Sequence, residues 1–157
     1  MEFSNIKSKF PIFKQKIKGK PLIYLDSANS SQKPKVVIDE ISRFYENEFS
    51  NVGRSVHTLA VKATNKFEET RDVIKSYINA KYREEIIFTK GATEAINLVA
   101  NTFGQKFLRE GDEILLTELE HHSNYVPWHY LRKLKGVKIN FAEINNDGEI
   151  TLESIEK

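Results

Sequence analysis

The most constraining feature of this sequence is an alternation of strand-like and helix-like patterns in the second half of the chain. Three runs, 85–89, 114–117 and 137–142, are rich in Ile, Leu, Val and Phe, and the last has apolar residues at every second position. Between them, apolar residues recur every three or four positions, which predicts helices at 96–103 and 127–134. This alternation indicates an α/β fold with a parallel sheet and right-handed crossovers.

The first half has a different pattern. A short apolar run at 22–25 predicts a strand, and helical spacing predicts one helix over 34–49 and a longer amphipathic helix over 60–78. We therefore expect an N-terminal segment, 1–83, with a short strand, polar loops and two helices. We expect the first part of the sheet domain in 84–157.

The sequence ends shortly after its third predicted strand. A turn at 145–148 leads to a helix that starts at Thr151 and stops within two turns. Parallel sheets are usually covered on both faces and seldom leave long edges open. The simplest interpretation is that these 157 residues are part of a longer, truncated fold.

Composition excludes several classes of function. Lys and Arg total 24 against 22 Asp and Glu, a net charge of +2, so no nucleic-acid partner is expected. No run approaches the ~20 apolar residues of a membrane span, which favours a cytoplasmic protein without a membrane partner. Cys is absent, which excludes disulfides, thiolate metal sites and thiol catalysis by this chain itself.

The first candidate site lies between the run at 85–89 and the helix that follows. Gly91, Ala92 and Thr93 precede the apolar helical spacing, so free backbone N–H groups and a Thr hydroxyl are predicted at a helix N-terminus. Such a terminus attracts phosphate groups. The alternative is that Gly91 forms an ordinary turn and Thr93 caps the helix.

The second candidate site follows the run at 114–117. Ligands of open α/β sheets gather beyond the carboxyl ends of strands, where His121 and His122 are predicted. A metal site is not expected, because adjacent residues diverge and no pair of His residues has a spacing of four. The alternative is that both imidazoles are simply solvated.

A third candidate lies in the polar segment before the long helix. Arg54 could bind a carboxylate with two parallel hydrogen bonds, and His57 is close to it in sequence. The alternative is an Arg that is solvated or paired at the surface.

Six short motifs follow one another along the chain. They are Asp26-Ser27-Ala28, Gln32-Lys33-Pro34, Arg54 with His57-Thr58-Leu59, Gly91-Ala92-Thr93-Glu94, Gly111-Asp112-Glu113, and Glu120-His121-His122-Ser123-Asn124. In this order they resemble the amino-terminal part of SUF-type cysteine desulfurases, members of the class V aminotransferase family. The resemblance extends from about Phe10 to the end of the chain.

The resemblance implies part of the large domain of a fold-type-I pyridoxal phosphate enzyme, with a partial parallel or mixed sheet preceded by an N-terminal helical segment. It implies pyridoxal 5'-phosphate as cofactor, a homodimer, and conversion of L-cysteine to L-alanine. The sulfur would pass to an enzyme Cys as a persulfide, and then to an acceptor protein of iron–sulfur cluster assembly.

The resemblance also assigns roles to residues near the cofactor. Gly91, Ala92 and Thr93 match the segment that holds the cofactor phosphate. His121 matches the imidazole that stacks on the cofactor ring and relays a proton, which makes it the catalytic residue within this chain.

Four further residues match segments near the substrate: Ala28 and Asn29 in one loop, Arg54 and His57 in another. The chain lacks the family's Ser-Gly-His-Lys segment with the cofactor-binding Lys, and it lacks the sulfur-accepting Cys. The 157 residues alone are therefore expected to be inactive.

Two alternatives stay open. The chain is also compatible with a selenocysteine lyase or another class V lyase or aminotransferase, because the segments that distinguish these activities are missing. An alternative of another class is a non-enzymatic phosphate-binding or heterodimerising remnant of the family.

Overall fold

The computed structural model describes residues 3–156 and contains two compact units, Met1–Ile86 and Ile87–Lys157. Lys157, which belongs to the predicted final helix, lies outside the described residues. Within 3–156, no helix combines the length and the apolar character needed to cross a membrane.

The unit Met1–Ile86 opens with helix α1, Phe3–Lys7, and a small antiparallel hairpin. Strand β1, Lys16–Ile17, pairs with strand β2, Lys20–Pro21. Lys18 and Gly19 form the turn with φ values of 51° and 78°. Positive φ at both turn residues matches the right-handed twist of the strands, which is why a two-residue loop suffices.

Two helices make up most of this unit. Helix α2, Lys35–Asn47, and helix α3, Thr58–Tyr77, confirm the helices predicted over 34–49 and 60–78. At the end of α2, Arg43 forms an ion pair of 2.6 Å with Glu48, and Lys66 of α3 pairs with the same carboxylate. Charged side chains therefore connect the two helices.

The unit Ile87–Lys157 contains the parallel sheet. Strand β3, Glu113–Thr117, pairs with strand β4, Lys138–Ala142, in parallel and in register along their whole length. Helix α6, Val126–Lys135, forms the crossover, and Gly136 ends it with a left-handed φ of 71°. The predicted α/β class is confirmed, as are these two strands and their connecting helix.

A continuous helical segment precedes β3. Helix α4, Ala92–Val99, runs into a π-helical turn, Ala100–Gly104, and then helix α5, Gln105–Phe107. The helix predicted at 96–103 is therefore present, but its last turn is wider than an α-helical one. The last helix in the described part of the chain, α7, spans Leu152–Glu156 and follows the turn predicted at 145–148.

The core of this unit lies between the π-helical turn and helix α6. Ala100, Leu131 and Val137 are at most 2% exposed and contact one another. Gly104 makes the close approach possible, because a Cβ at this position would lie 2.5 Å from the Leu131 Cδ1 atom.

Two predicted strands are absent. The runs at 22–25 and 85–89 form no ladder with any strand in the described part of the chain, and Leu25 is 92% exposed and Ile87 63% exposed. A strand needs backbone hydrogen bonds to a neighbour, and the pattern of apolar residues does not supply that neighbour. The sheet therefore contains two of the three strands expected.

Candidate functional site

A cavity of about 690 Å³ opens beside the first turns of α4 and α6. This is the size of a small-molecule site, for which roughly 300–1,000 Å³ is usual. Its walls come from α4, from the π-helical turn, from the turn that follows β3 and from α6. The lining residues are Thr93, Asn97, Ala100, Asn101, His121, His122, Ser123, Val126, Pro127 and Tyr130.

One wall is the N-terminus of α4. Gly91 is the residue before the helix, and the N–H groups of Ala92, Thr93 and Glu94 have no acceptor within it. The Glu94 carboxylate turns back and accepts the Lys90 N–H at 2.5 Å, outside the helix. The exposed Thr93 hydroxyl makes no hydrogen bond to residues 3–156. These donors, together with the positive end of the helix dipole, form an anion seat.

The opposite wall carries His121 in a defined orientation. Its Nδ1 atom accepts the backbone N–H of Ser123 at 3.2 Å and lies 3.0 Å from the Ser123 hydroxyl. A nitrogen that accepts a hydrogen bond carries no proton, so the neutral ring holds its proton on Nε2. Nε2 is therefore the atom that can donate to a ligand.

His122 lines the same cavity as His121. The two ring centroids are 6.2 Å apart and the ring planes are inclined by 67°. Both imidazoles therefore border the cavity, whereas the sequence assigns a ligand-binding role to His121 alone. His122 also lines a second cavity, and its shared position makes it the natural control for His121.

The second cavity, about 460 Å³, lies at the carboxyl ends of β3 and β4. Its wall includes Glu120, whose carboxylate accepts hydrogen bonds from Asn124 and Thr117. These two bonds lower the pKa of Glu120 below its usual value of 4.5. Among residues 3–156, no group of three or more His, Asp and Glu side chains is arranged to hold a metal ion.

The four predicted substrate residues belong to the unit Met1–Ile86. Ala28 and Asn29 lie in an exposed turn, where the Asn29 amide donates to the Asp26 carboxylate at 3.3 Å. Arg54 is exposed and forms no ion pair within the described chain. His57 caps α3, since its Nδ1 accepts the Ala60 N–H at 3.3 Å.

Sequence reasoning missed part of the cavity wall. Asn97 and Asn101 follow Thr93 at spacings of four and eight, which places all three on one face of a helical segment. The Asn97 amide donates to the Thr93 carbonyl at 2.8 Å. Helical spacing from Thr93 was the signal that could have identified both residues. Tyr130 has no comparable signal.

This chain is similar to known proteins over most of its length. A family model described as aminotransferase class-V matches residues 23–157. A cysteine desulfurase of Pectobacterium atrosepticum is 45% identical over 145 residues, which are 92% of this chain and 36% of that protein.

Two solved structures have the same fold over 99% of this chain. The apo structure of cysteine desulfurase from Thermococcus onnurineus NA1 has a TM-score of 0.86 at 35% identity, and the chain covers 37% of it. The S-sulfonic acid form of cysteine desulfurase CsdA from Escherichia coli has a TM-score of 0.76 at 29% identity, with 38% covered. These likenesses confirm the predicted fold-type-I architecture. The chain spans less than two fifths of each of these three proteins.

Proposed function

The chain belongs to the aminotransferase class-V family, and on this premise we propose that it supplies one part of the active site of a pyridoxal 5'-phosphate-dependent cysteine desulfurase. The observation that carries the proposal is the shared cavity of Thr93 and His121. The names of its relatives support the same activity. The cavity joins an anion seat to an imidazole, which are two of the groups that bind a phosphorylated aromatic cofactor.

The residues present fit this cofactor. The N–H groups of Ala92 and Thr93, the Thr93 hydroxyl and the backbone at Gly91 would hold its phosphate group. The exposed His121 ring would stack on the cofactor ring from the other wall. When bound, the cofactor supplies an electron sink for cleavage of bonds at the substrate Cα and Cβ atoms.

The contribution of this chain to the reaction is positioning and proton transfer. L-cysteine and an enzyme thiol become L-alanine and an enzyme persulfide, and His121 moves a proton through its Nε2 atom. Ala28, Asn29, Arg54 and His57 would contact the substrate. Because Cys is absent from the 157 residues, we expect them to release no alanine on their own.

The proposal also includes the location of the enzyme, its oligomeric state and its sulfur acceptor. The complete enzyme would be a cytoplasmic homodimer of the SUF type. Its persulfide sulfur would pass to an acceptor protein for iron–sulfur cluster assembly.

The test compares three variants of the full-length enzyme: Thr93→Ala, His121→Ala and His122→Ala. Thr93→Ala should weaken cofactor binding by roughly 1–3 kcal/mol, the value of a hydrogen bond to a charged group, as measured by cofactor dissociation. His121→Ala should lower alanine release far more than cofactor affinity, because proton transfer contributes to the transition state. His122→Ala is the matched control, because the resemblance assigns the cofactor-facing role to His121, and it should do little to either quantity.

Three outcomes would contradict this assignment. If the unaltered enzyme releases no alanine from cysteine, the proposed activity is wrong. Loss of alanine release in His122→Ala equal to that in His121→Ala would show that the wrong imidazole was assigned. Unchanged cofactor affinity in Thr93→Ala would show that Thr93 does not bind the cofactor phosphate.

A further inference from the structure

A chain of hydrogen bonds runs behind the cavity from the end of β3 to the first turns of α6. The Thr117 hydroxyl donates to one oxygen of the Glu120 carboxylate at 2.9 Å, and the Asn124 amide donates to the other at 2.7 Å. The Asn124 carbonyl oxygen in turn accepts the indole N–H of Trp128 at 2.9 Å. All four side chains are partly buried, so water has limited access to these bonds.

These hydrogen bonds connect residues on both sides of His121. Glu120 precedes His121 directly, and Asn124 follows it by three residues, with its backbone N–H donating to the His121 carbonyl at 2.8 Å. The Ser123 N–H that binds His121 Nδ1 lies inside the same turn. A shift of Glu120 or Asn124 would therefore move both the His121 backbone and the donor that fixes its ring.

None of the four side chains lines the cavity that holds Thr93 and His121. They therefore act on a ligand of that cavity through the lining residues of the same turn, among which His121 carries the proton-donating ring. No role is predicted from the sequence for Glu120, Asn124 or Trp128, and a solvated turn would need no such set of bonds. Both oxygens of one carboxylate and both polar atoms of one amide are used.

We propose that Glu120, Asn124 and Trp128 are positioning residues that hold His121 in the orientation with Nδ1 as acceptor and the proton on Nε2. This role rests on the proposed function, in which His121 Nε2 moves a proton at the substrate. Loss of the network would let the ring rotate and would mix the two neutral tautomers.

The first readout needs no substrate and no cofactor. The ¹⁵N chemical shifts of the His121 ring, assigned with His121→Ala, report which nitrogen carries the proton. In the unaltered full-length protein the Nε2–H tautomer should predominate. Asn124→Ala should produce a mixture, and Trp128→Phe, which removes the indole N–H together with part of the fused ring but keeps an aromatic side chain, should shift the ratio in the same direction by less.

The second readout is cysteine turnover by the same variants. Misplacement of a catalytic group by about 1 Å can cost about 100-fold in rate, so Asn124→Ala should lower kcat by about 10- to 100-fold. KM should change by less than about 2-fold, since the network does not touch the cavity. Asn140→Ala is the matched control, because Asn140 donates to Glu113 at 2.9 Å in the same unit but away from the turn.

The outcomes separate this proposal from the proposed function. An unchanged tautomer ratio in both Asn124→Ala and Trp128→Phe would overturn the positioning role, even in an enzyme that turns over cysteine. An equal fall of kcat in Asn140→Ala would overturn it as well, since the effect would then be general loss of structure. If the unaltered enzyme turns over no cysteine, the proposed function fails, and the catalytic part of this inference fails with it.

Discussion

In the unit Ile87–Lys157, Leu131 and Val137 are almost fully buried and meet Ala100 across a close helix contact. In the unit Met1–Ile86, two of the three buried apolar residues described are alanines, Ala60 and Ala63. Ion pairs are distributed in the opposite way. Among residues 3–156, every ion pair except Lys138–Glu113 lies in Met1–Ile86.

Because of this difference, the two units should respond to different perturbations. Packed apolar side chains carry no charge that salt can screen or pH can change, whereas exposed ion pairs are screened by salt. The unit that holds the cavity should therefore respond to changes of side-chain volume. The unit with α2 and α3 should respond to changes of charge and ionic strength.

The largest effect is expected from Leu131→Ala. Removing a side chain that is 1% exposed leaves a cavity in the core, and such changes cost about 2–5 kcal/mol of unfolding free energy. Urea unfolding measures the loss. Leu134→Ala, on the same helix but 55% exposed, is the control and should cost much less. Equal losses in the two variants would show that this core does not carry the stability of its unit.

The next effect is expected from Gly104→Ala. Its new Cβ would lie 2.5 Å from Leu131 Cδ1, and overpacking of this kind costs about 1–3 kcal/mol. The double variant with Leu131→Ala should lose less than the sum of the two single losses, because the clashing atom is gone. Strict additivity in urea unfolding would argue against the contact.

A smaller effect is expected from Arg43→Ala in the first unit. It removes the cation that pairs with Glu40 and Glu48, and the loss of stability should be below that of either core change. The loss should shrink further at high salt, which thermal unfolding at two salt concentrations measures. Lys35→Ala, which removes only the exposed pair with Asp39, is the control. A salt-independent loss would contradict an electrostatic origin.

The smallest expected effect is a difference in how salt changes the pKa values of two carboxylates, Glu48 and Glu120. Arg43 and Lys66 lower the pKa of Glu48 from 4.5 to about 2, whereas hydrogen bonds from the neutral Asn124 and Thr117 side chains lower that of Glu120. Each depressed pKa stabilises the fold above about pH 4.5. That contribution disappears as the pH falls through the lowered value.

Salt distinguishes the two causes. Raising the salt from about 0.02 M to about 0.5 M should move the pKa of Glu48 back toward 4.5 and leave that of Glu120 nearly unchanged. Carboxyl ¹³C chemical shifts followed through an acid titration measure both groups in one sample. Equal salt shifts for the two carboxylates would remove this difference between the units.

The sequence predicted those elements whose signal is local. Helical spacing is a property of a single segment, so α2, α3 and α6 were predicted within a few residues. The candidate site was predicted in part, because Thr93 and His121 both follow strand-like runs and do line one cavity.

The features that the sequence did not reveal are of two kinds. Some depend on residues that are distant along the chain, and others depend on local geometry that leaves no periodic pattern of residues. A strand at 22–25 or 85–89 needs a neighbour, which no run of apolar residues specifies. The π-helical turn has no periodicity of its own in so short a segment. Glu120, Asn124 and Trp128 look like ordinary polar and aromatic surface residues until their hydrogen bonds are seen.

The π-helical turn Ala100–Gly104 also marks a place where the gene can lose one codon. The wide turn holds one residue more than an α-helical turn, so deleting one exposed residue within 101–103 would convert it to an α-helical turn and leave the following residues facing in nearly the same direction. Gly104 would then stay against Leu131. Single-residue deletions should therefore occur naturally within 101–103, whereas longer insertions and deletions should accumulate in the exposed turn around Asn146 and Asp147.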